Sequence, residues 1–168
     1  MTSSSDRIVK TVALDAPIER VWRAISESAR FGTWFGIEFD GEFEPGKRLT
    51  GRMAPTRMDA EVARAQEPHA GMEFEFRVER IEPMRLFSFR WHPYAIEPGA
   101  DYATEPMTLV ELELEPAGGG TRLTITESGF DQVPLARRAE AFASNDQGWQ
   151  EQAKLIAKYL SLPEQGEG

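Results

Sequence analysis

The stretch that decides the fold is Glu73–Phe130, EFEFRVERIEPMRLFSFRWHPYAIEPGADYATEPMTLVELELEPAGGGTRLTITESGF. Within it Phe74, Phe76 and Val78 alternate with Glu73, Glu75, Arg77 and Glu79, and Phe87, Phe89 and Trp91 alternate with Ser88, Arg90 and His92. Val110, Leu112 and Leu114 alternate with Glu111 and Glu113, and Leu123 and Ile125 with Thr124 and Thr126. Successive side chains of a strand point to opposite faces, so this period predicts a sheet with one wet and one apolar face. The apolar face is rich in aromatics and needs a cover. After Pro134 the period becomes helical: Phe142, Trp149, Ala153, Ile156 and Leu160 share a face, widened by Leu155, Tyr159 and Leu162. A helix from about Leu135 to Ser161 would be about 40 Å long, at about 1.5 Å per residue, enough to cross a whole sheet. Gly148 is a candidate kink within it.

Working outward, Arg7–Leu14 reads as a strand. Pro17 and Glu19 suit the first turn of a helix whose Ile18, Val21, Trp22 and Ile25 form one apolar stripe. Ser28 is the expected cap of a second short helix carrying Phe31, Trp34 and Phe35, with Gly36 at its end. Phe39–Phe43 and Leu49–Met53 are expected strands, joined through Glu44-Pro45-Gly46-Lys47. Residues 54–71 show no clear period and read as a long loop, with a helical turn at most around Asp59 to Arg64. The remaining strands are expected at Met72–Ile81, Leu86–His92, Thr108–Glu115 and Arg122–Ser128. A Tyr- and Pro-bearing loop (Pro93 to Met107) and a Gly118-Gly119-Gly120 hairpin turn connect them. Residues 1–6 and 163–168 are expected to be disordered tails, leaving 7–162 as one domain. Strands joined by hairpins and helices kept apart from them make the fold class α+β with an antiparallel sheet.

Composition narrows the function classes. The 168 residues, 40% of them hydrophobic, suit a single core. No apolar run is long enough for a signal peptide or a membrane helix, so a cytoplasmic location without membrane insertion is expected. Cysteine is absent, which excludes disulfides, thiol catalysis and cysteine-ligated metals. A net charge of −9 with no basic stripe argues against nucleic-acid binding. The only histidines, His69 and His92, have no metal-ligand spacing, and strand parity puts His92 on the wet face. No metal is expected. With no nucleophile elbow and no Gly-rich strand-to-helix loop, neither a cofactor nor a catalytic residue is assigned.

Several strings in this order resemble the START-like (SRPBCC) superfamily, and within it the branch similar to the activator of Hsp90 ATPase. They are Ala16-Pro17-Ile18-Glu19-Arg20-Val21-Trp22, Trp34-Phe35-Gly36, Val78-Glu79-Arg80-Ile81-Glu82-Pro83 and Phe87-Ser88-Phe89-Arg90-Trp91. Gly119-Gly120-Thr121-Arg122-Leu123-Thr124-Ile125, Ser128-Gly129-Phe130, Asn145 and Gly148-Trp149 complete the set. The resemblance implies a helix-grip fold, a curved antiparallel sheet wrapped around the C-terminal helix with two short helices after the first strand. It also implies a hydrophobic cavity between sheet and helix. Members of the branch often carry His where this chain has Glu127.

The expected pocket wall follows from the inward positions. It comprises Trp34, Phe74, Phe76, Phe87, Phe89, Trp91, Val110, Leu112, Phe142 and Trp149, with core packing as the alternative for any single one. Glu127 shares strand parity with Leu123 and Ile125, so it should face the helix with its pKa raised unless it is paired. Arg138 is its candidate partner and Asn145 a candidate polar hook. The alternative is a purely structural polar cluster. Tyr94 and Tyr102 on the long loop are candidates for a lid. These residues favour binding or sensing of a hydrophobic, aromatic small molecule by burial. A second reading is a cyclase- or hydrolase-type enzyme with Glu127 as general acid or base. A third is an interaction module with a chaperone partner, by family analogy alone, and a homodimer is a further candidate assembly.

Overall fold

Strand pairing follows the alternation. The computed structural model describes residues 7–56, 58–93 and 105–162. Its strands are β1 (Arg7–Leu14), β2 (Ile37–Phe39), β3 (Arg48–Met53), β4 (Glu73–Glu82), β5 (Leu86–Trp91), β6 (Thr108–Ala117) and β7 (Gly120–Ser128). They form one curved antiparallel sheet of seven strands in the order β1-β7-β6-β5-β4-β3-β2. The register sets Val78 beside Phe89, Phe89 beside Val110, and Val110 beside Glu127. A bulge between Val78 and Arg80 in β4 bends the pairing with β5. The outer face is laced with ion pairs such as Arg48–Glu75, Arg52–Glu73 and Arg90–Glu79. Exposed pairs of this kind contribute little stability, about 0–1 kcal/mol each.

Helices α1 (Ile18–Ser26) and α2 (Ser28–Phe35) follow β1, and α4 (Leu135–Ser161) closes the fold. The guanidinium of Arg20 in α1 donates to the carbonyls of Leu160 (2.7 Å) and Leu162, holding the end of α4. α4 is one unbroken helix through Gly148, and it packs on β1, α1 and α2.

The cover of the aromatic face differs from the sequence expectation of one long helix. Phe31 of α2 meets Trp34, Phe35, Phe39, Phe43, Phe76, Phe87 and Phe89 at ring-centroid separations of 4.9–6.3 Å. Phe76 stacks on Phe89 at 4.2 Å, and Phe43 stacks on Phe87 at 4.8 Å. The short helix therefore plugs the β4–β5 half of the sheet. α4 is left to cover the β1 side and the back of α2.

Three local expectations are corrected. The second strand is Ile37–Phe39 rather than Phe39–Phe43. Its continuation turns away after Asp40, whose Oδ1 accepts from Thr50 N, and Phe43 drops its ring into the core. Ser28 is the first helical residue rather than a cap, and no side chain caps α2. Residues 54–71 are not a loop throughout: α3 (Ala60–Gln66), capped by the Asp59 carboxylate accepting from Val62 N, runs into a 3-10 turn at Glu67–His69. Its short span and lack of fully buried residues explain the missing period. Gly36 does end α2, in the left-handed region at φ 99°, where glycine is favoured. Among the described residues no helix is long and apolar enough to cross a membrane. The expected tails lie outside the described residues.

The aromatic plug leaves no slack around Phe89, which is fully buried. Phe89→Ala should therefore destabilise the protein by about 3–5 kcal/mol, as for a large-to-small change in a packed core. Chemical denaturation with an unchanged m-value checks this; a loss below about 1 kcal/mol would mean that the site is not close-packed.

Candidate functional site

Glu127 is the one fully buried carboxylate among the described residues. β7 delivers it to the inner face, opposite Ile8 of β1 and Val110 of β6. Four side chains donate to it. Trp149 Nε1 reaches Oε1 at 2.8 Å, and Asn145 Nδ2 lies 3.0 and 3.1 Å from the two oxygens. Trp91 Nε1 (2.8 Å) and Thr108 Oγ1 (2.5 Å) both reach Oε2, as they can because Trp91 and Thr108 are paired across β5 and β6. Burial pushes the Glu127 carboxyl above its ordinary value, and the four donors pull it part of the way back. Among the described residues no cation takes part. Arg138, the expected partner, instead donates Nε–H to the Val133 carbonyl at 3.1 Å.

From α4, Asn145, Gly148, Trp149 and Gln152 fall at i, i+3, i+4 and i+7, so they share one stripe. Gln152 is buried and donates Nε2–H to the Phe35 carbonyl at 3.2 Å, while its Oε1 has no partner. The same Phe35 carbonyl accepts from Gln66 Nε2 at 3.0 Å, and Gln66 Oε1 accepts from Thr56 N at 2.8 Å. α3 is thereby tied to the end of α2.

Beside this stripe a cavity of about 380 Å³ is lined by Phe35, Ile37, Met53, Ala65, Gln66, His69, Met72, Phe74, Trp91, His92, Ser144, Asn145 and Gly148. A smaller space of about 80 Å³ shares Phe35, Trp91, Asn145 and Gly148 with it and adds Trp149 and Gln152. Phe35, Trp91 and Trp149 form a floor of three rings with centroids 5.7–5.9 Å apart. Gly51 in β3 makes room for the Phe74 wall, since a Cβ there would lie 2.7 Å from the Phe74 ring. A Cβ on Gly148 would meet nothing within 4 Å, because it would project into open space. A larger groove of about 670 Å³ lies outside, between α2 and β2. It is walled by small residues with Ile37, Glu38, Phe39 and Pro55, and its polar side chains are Ser28, Thr33 and Glu38.

Of the residues expected to line a pocket, the structure brings Phe74, Trp91 and Asn145 to the larger cavity and Trp149 to the smaller one. Trp34, Phe76, Phe87, Phe89, Val110 and Leu112 are instead buried in the core, because α2 fills the space that a ligand would have needed there. Phe142 packs edge-on against Phe130 at 5.2 Å, and Glu127 lines neither space. Tyr94 and Tyr102 lie outside the described residues. His92 is corrected from the wet face to the cavity rim: β5 ends at Trp91, so the alternation stops, and the ring lies with Nε2 3.1 Å from the Glu105 carbonyl. Arg137 donates to the Glu105 carboxylate (2.6 Å) and to the Pro93 carbonyl (2.9 Å), joining the two flanks of the long connection to α4. Among the described residues no group of His, Asp or Glu is placed to hold a metal ion.

Sequence reasoning missed Gly148 and Gln152 as wall residues, although both carried a signal. A glycine inside a helix and a glutamine on its apolar stripe break the local rules. Gln66, His69 and Ala65 gave none, because they lie beyond the helical turn expected around Asp59 to Arg64.

Glu127→Gln puts an NH2 group where two donors converge, at about 1–3 kcal/mol for a buried donor left unpaired. The folded carboxyl holds its proton more readily than the unfolded one. Wild-type stability should therefore fall as pH rises from the ordinary glutamate range through the raised pKa, while the variant lacks this slope. The deficit of Glu127→Gln should narrow with rising pH in denaturation series; a deficit that widens would reverse the sign of the shift.

No curated protein matches this chain. Solved structures share its fold. An Arthrobacter aurescens protein has 20% identity and a TM-score of 0.72, with 97% of this chain and 90% of that one covered. The Aha1 dimer from Colwellia psychrerythraea has 14% identity and a TM-score of 0.66, with 96% and 98% covered. DynU16, a protein in the dynemicin biosynthetic locus, has 22% identity and a TM-score of 0.65; 93% of this chain is covered, but it spans only 47% of DynU16. At these identities the likeness is one of fold. The sequence family described as activator of Hsp90 ATPase homolog 1-like protein matches residues 15–161, and the chain belongs to that family.

Proposed function

We propose that the protein binds a neutral, largely apolar small molecule in the cavity between α4, α3 and the β3–β5 end of the sheet. The observation that carries this is the coincidence of a cavity of about 380 Å³ with a helix glycine on its wall, where a Cβ would meet only open space. That volume lies within the roughly 300–1,000 Å³ typical of small-molecule sites. Its walls are mainly aromatic and aliphatic, with a few polar atoms, the usual makeup of such sites. A helix-interior glycine costs about 1 kcal/mol relative to alanine, so Gly148 weakens α4 locally.

The catalytic alternative has less support. Glu127 has both oxygens engaged by protein donors and no face on the cavity, so it is not within reach of a bound molecule. General acid or base work requires hydrogen-bond reach to the reacting group. Glu127 is better read as the group that fixes the cavity wall.

Trp91 borders the cavity, so its emission should report occupancy. Naphthalene titrated against the wild type should shift that emission saturably. Gly148→Leu should abolish the shift while leaving the thermal transition as sharp as before, and Gly148→Ala should raise stability by up to about 1 kcal/mol. Absence of binding to the wild type, or binding untouched by Gly148→Leu, would remove the cavity reading.

A further inference from the structure

The rim of the cavity restricts the chemistry of what enters it. Among the described residues its wall carries no lysine, arginine, aspartate or glutamate, so His69 and His92 are its titratable side chains, and both are half-buried. His92 is held in one orientation. Its Nε2 lies 3.1 Å from the Glu105 carbonyl, and a carbonyl can only accept, so the neutral ring carries its proton on Nε2 and Nδ1 keeps its lone pair. Arg137 of α4 clamps both sides of this contact. It donates to the carbonyl of Pro93, the next residue, and to the carboxylate of Glu105 itself. Nδ1 is left as an acceptor at the rim, bonded to no described residue. The other polar groups of the wall set no such direction or are already spent. The His69 ring and the Ser144 hydroxyl can each donate or accept. The Gln66 amide is used at both ends, and Trp91, Trp149 and Asn145 donate to Glu127. Gln152 Oε1 is sealed within the smaller space, out of a guest's reach.

We infer that His92 is the specificity residue of this cavity, its Nδ1 accepting a hydrogen bond from a hydroxyl or N–H group of a neutral aromatic guest whose body lies against Phe35, Phe74 and Trp91. This rests on the binding reading above and narrows it to a class. An ether in place of the donor sets lone pair against lone pair and forfeits the hydrogen bond, so the site selects by hydrogen-bond direction as well as by shape. The same atom makes the preference reversible by acid. A proton on Nδ1 turns the acceptor into a donor, which disfavours a guest offering a donor and favours an anionic one. Neighbouring charges do not mask this change. The Glu105 carboxylate is taken up by Arg137, and His69, from the turn after α3, is itself an imidazole that adds positive charge in acid. The side chains that α2, α3, α4 and the strands β2 to β4 contribute to the wall are uncharged.

The test titrates naphthalene, 2-methoxynaphthalene, 2-naphthol and 2-naphthoate against the full chain, by calorimetry and tryptophan emission, at about pH 8 and about pH 5, the span over which an imidazole changes charge. At the higher pH 2-naphthol is expected to bind about tenfold tighter than 2-methoxynaphthalene, the effect of one well-placed hydrogen bond. At the lower pH that ratio should fall toward one while 2-naphthoate gains on naphthalene. Ratios between probes cancel any effect of pH on the fold as a whole, including that of Glu127. His92→Leu should erase the naphthol preference and leave naphthalene binding in place. His92→Gln keeps a donor for the Glu105 carbonyl and an acceptor that does not titrate, so its preference should persist at both pH values. If naphthalene binds but the wild type shows no naphthol preference, or one indifferent to pH, the cavity reading stands and the His92 inference falls. It falls equally if the preference is lost in His69→Gln and kept in His92→Leu. If no probe binds, both readings fall. Thermal melting checks each variant's fold, and should His92→Leu not fold, the pH dependence of wild type against His92→Gln decides.

Discussion

A carboxylate buried without a cation governs this structure. Taking Glu127 out of water is affordable only because donors converge on it from three directions: Trp91 from β5, Thr108 from β6, and Asn145 with Trp149 from α4. Hydrogen bonds to an ionised group are roughly twice as strong as neutral ones. Their geometry is also directional in a way that apolar packing is not. The long helix cannot rotate or slide along the sheet without leaving a buried carboxyl without its donors, so Glu127 sets the register between α4 and the strands. The positions of the two indoles and of the Asn145 amide follow from it.

With that register fixed, packing divides the interior. On the β4–β5 half, Phe31 and its neighbours fill the space at van der Waals contact, and the stacked pairs Phe76–Phe89 and Phe43–Phe87 leave no room for a guest. Where α4 passes the end of that plug its facing residues become small or polar: Ser144, Asn145, Gly148. α3 closes the opposite side with Ala65, Gln66 and His69. The open space therefore lies at the end of the aromatic core. The residues that border it differ from the general inward-facing set.

How much of this could be read in the sequence depends on whether a signal is periodic. The period of two located β4 to β7 and gave the inward direction of Glu127, because strand parity is geometric wherever a strand stays regular; it lapses at the β4 bulge and past the end of β5, where His92 lies. The i, i+3, i+4 spacing likewise located α4. What periodicity cannot say is which of two elements covers a given face. Phe31, Trp34 and Phe35 looked like one side of a minor helix, yet they fill the core that α4 was expected to reach. The Glu127–Arg138 pairing failed for a related reason. Opposite charges at plausible spacing suggest a salt bridge, but two indoles and an amide satisfied the carboxylate before any guanidinium was needed. α3 showed in the sequence only as a helical turn around Asp59 to Arg64, because a seven-residue helix with no fully buried residue leaves no long pattern.

The residues at the cavity end of α4 share a further property. Gly148 lowers helix stability where alanine would fit without contact, and Gln152 buries an acceptor with no protein partner. Each is a cost of order 1 kcal/mol or more that a sequence under selection for stability alone would lose. They arise from unrelated physics, one from backbone entropy and the other from desolvation, and they lie four residues apart on one helical stripe facing one space. A structural explanation for either would leave their coincidence unexplained. Local rules are broken together where function requires it.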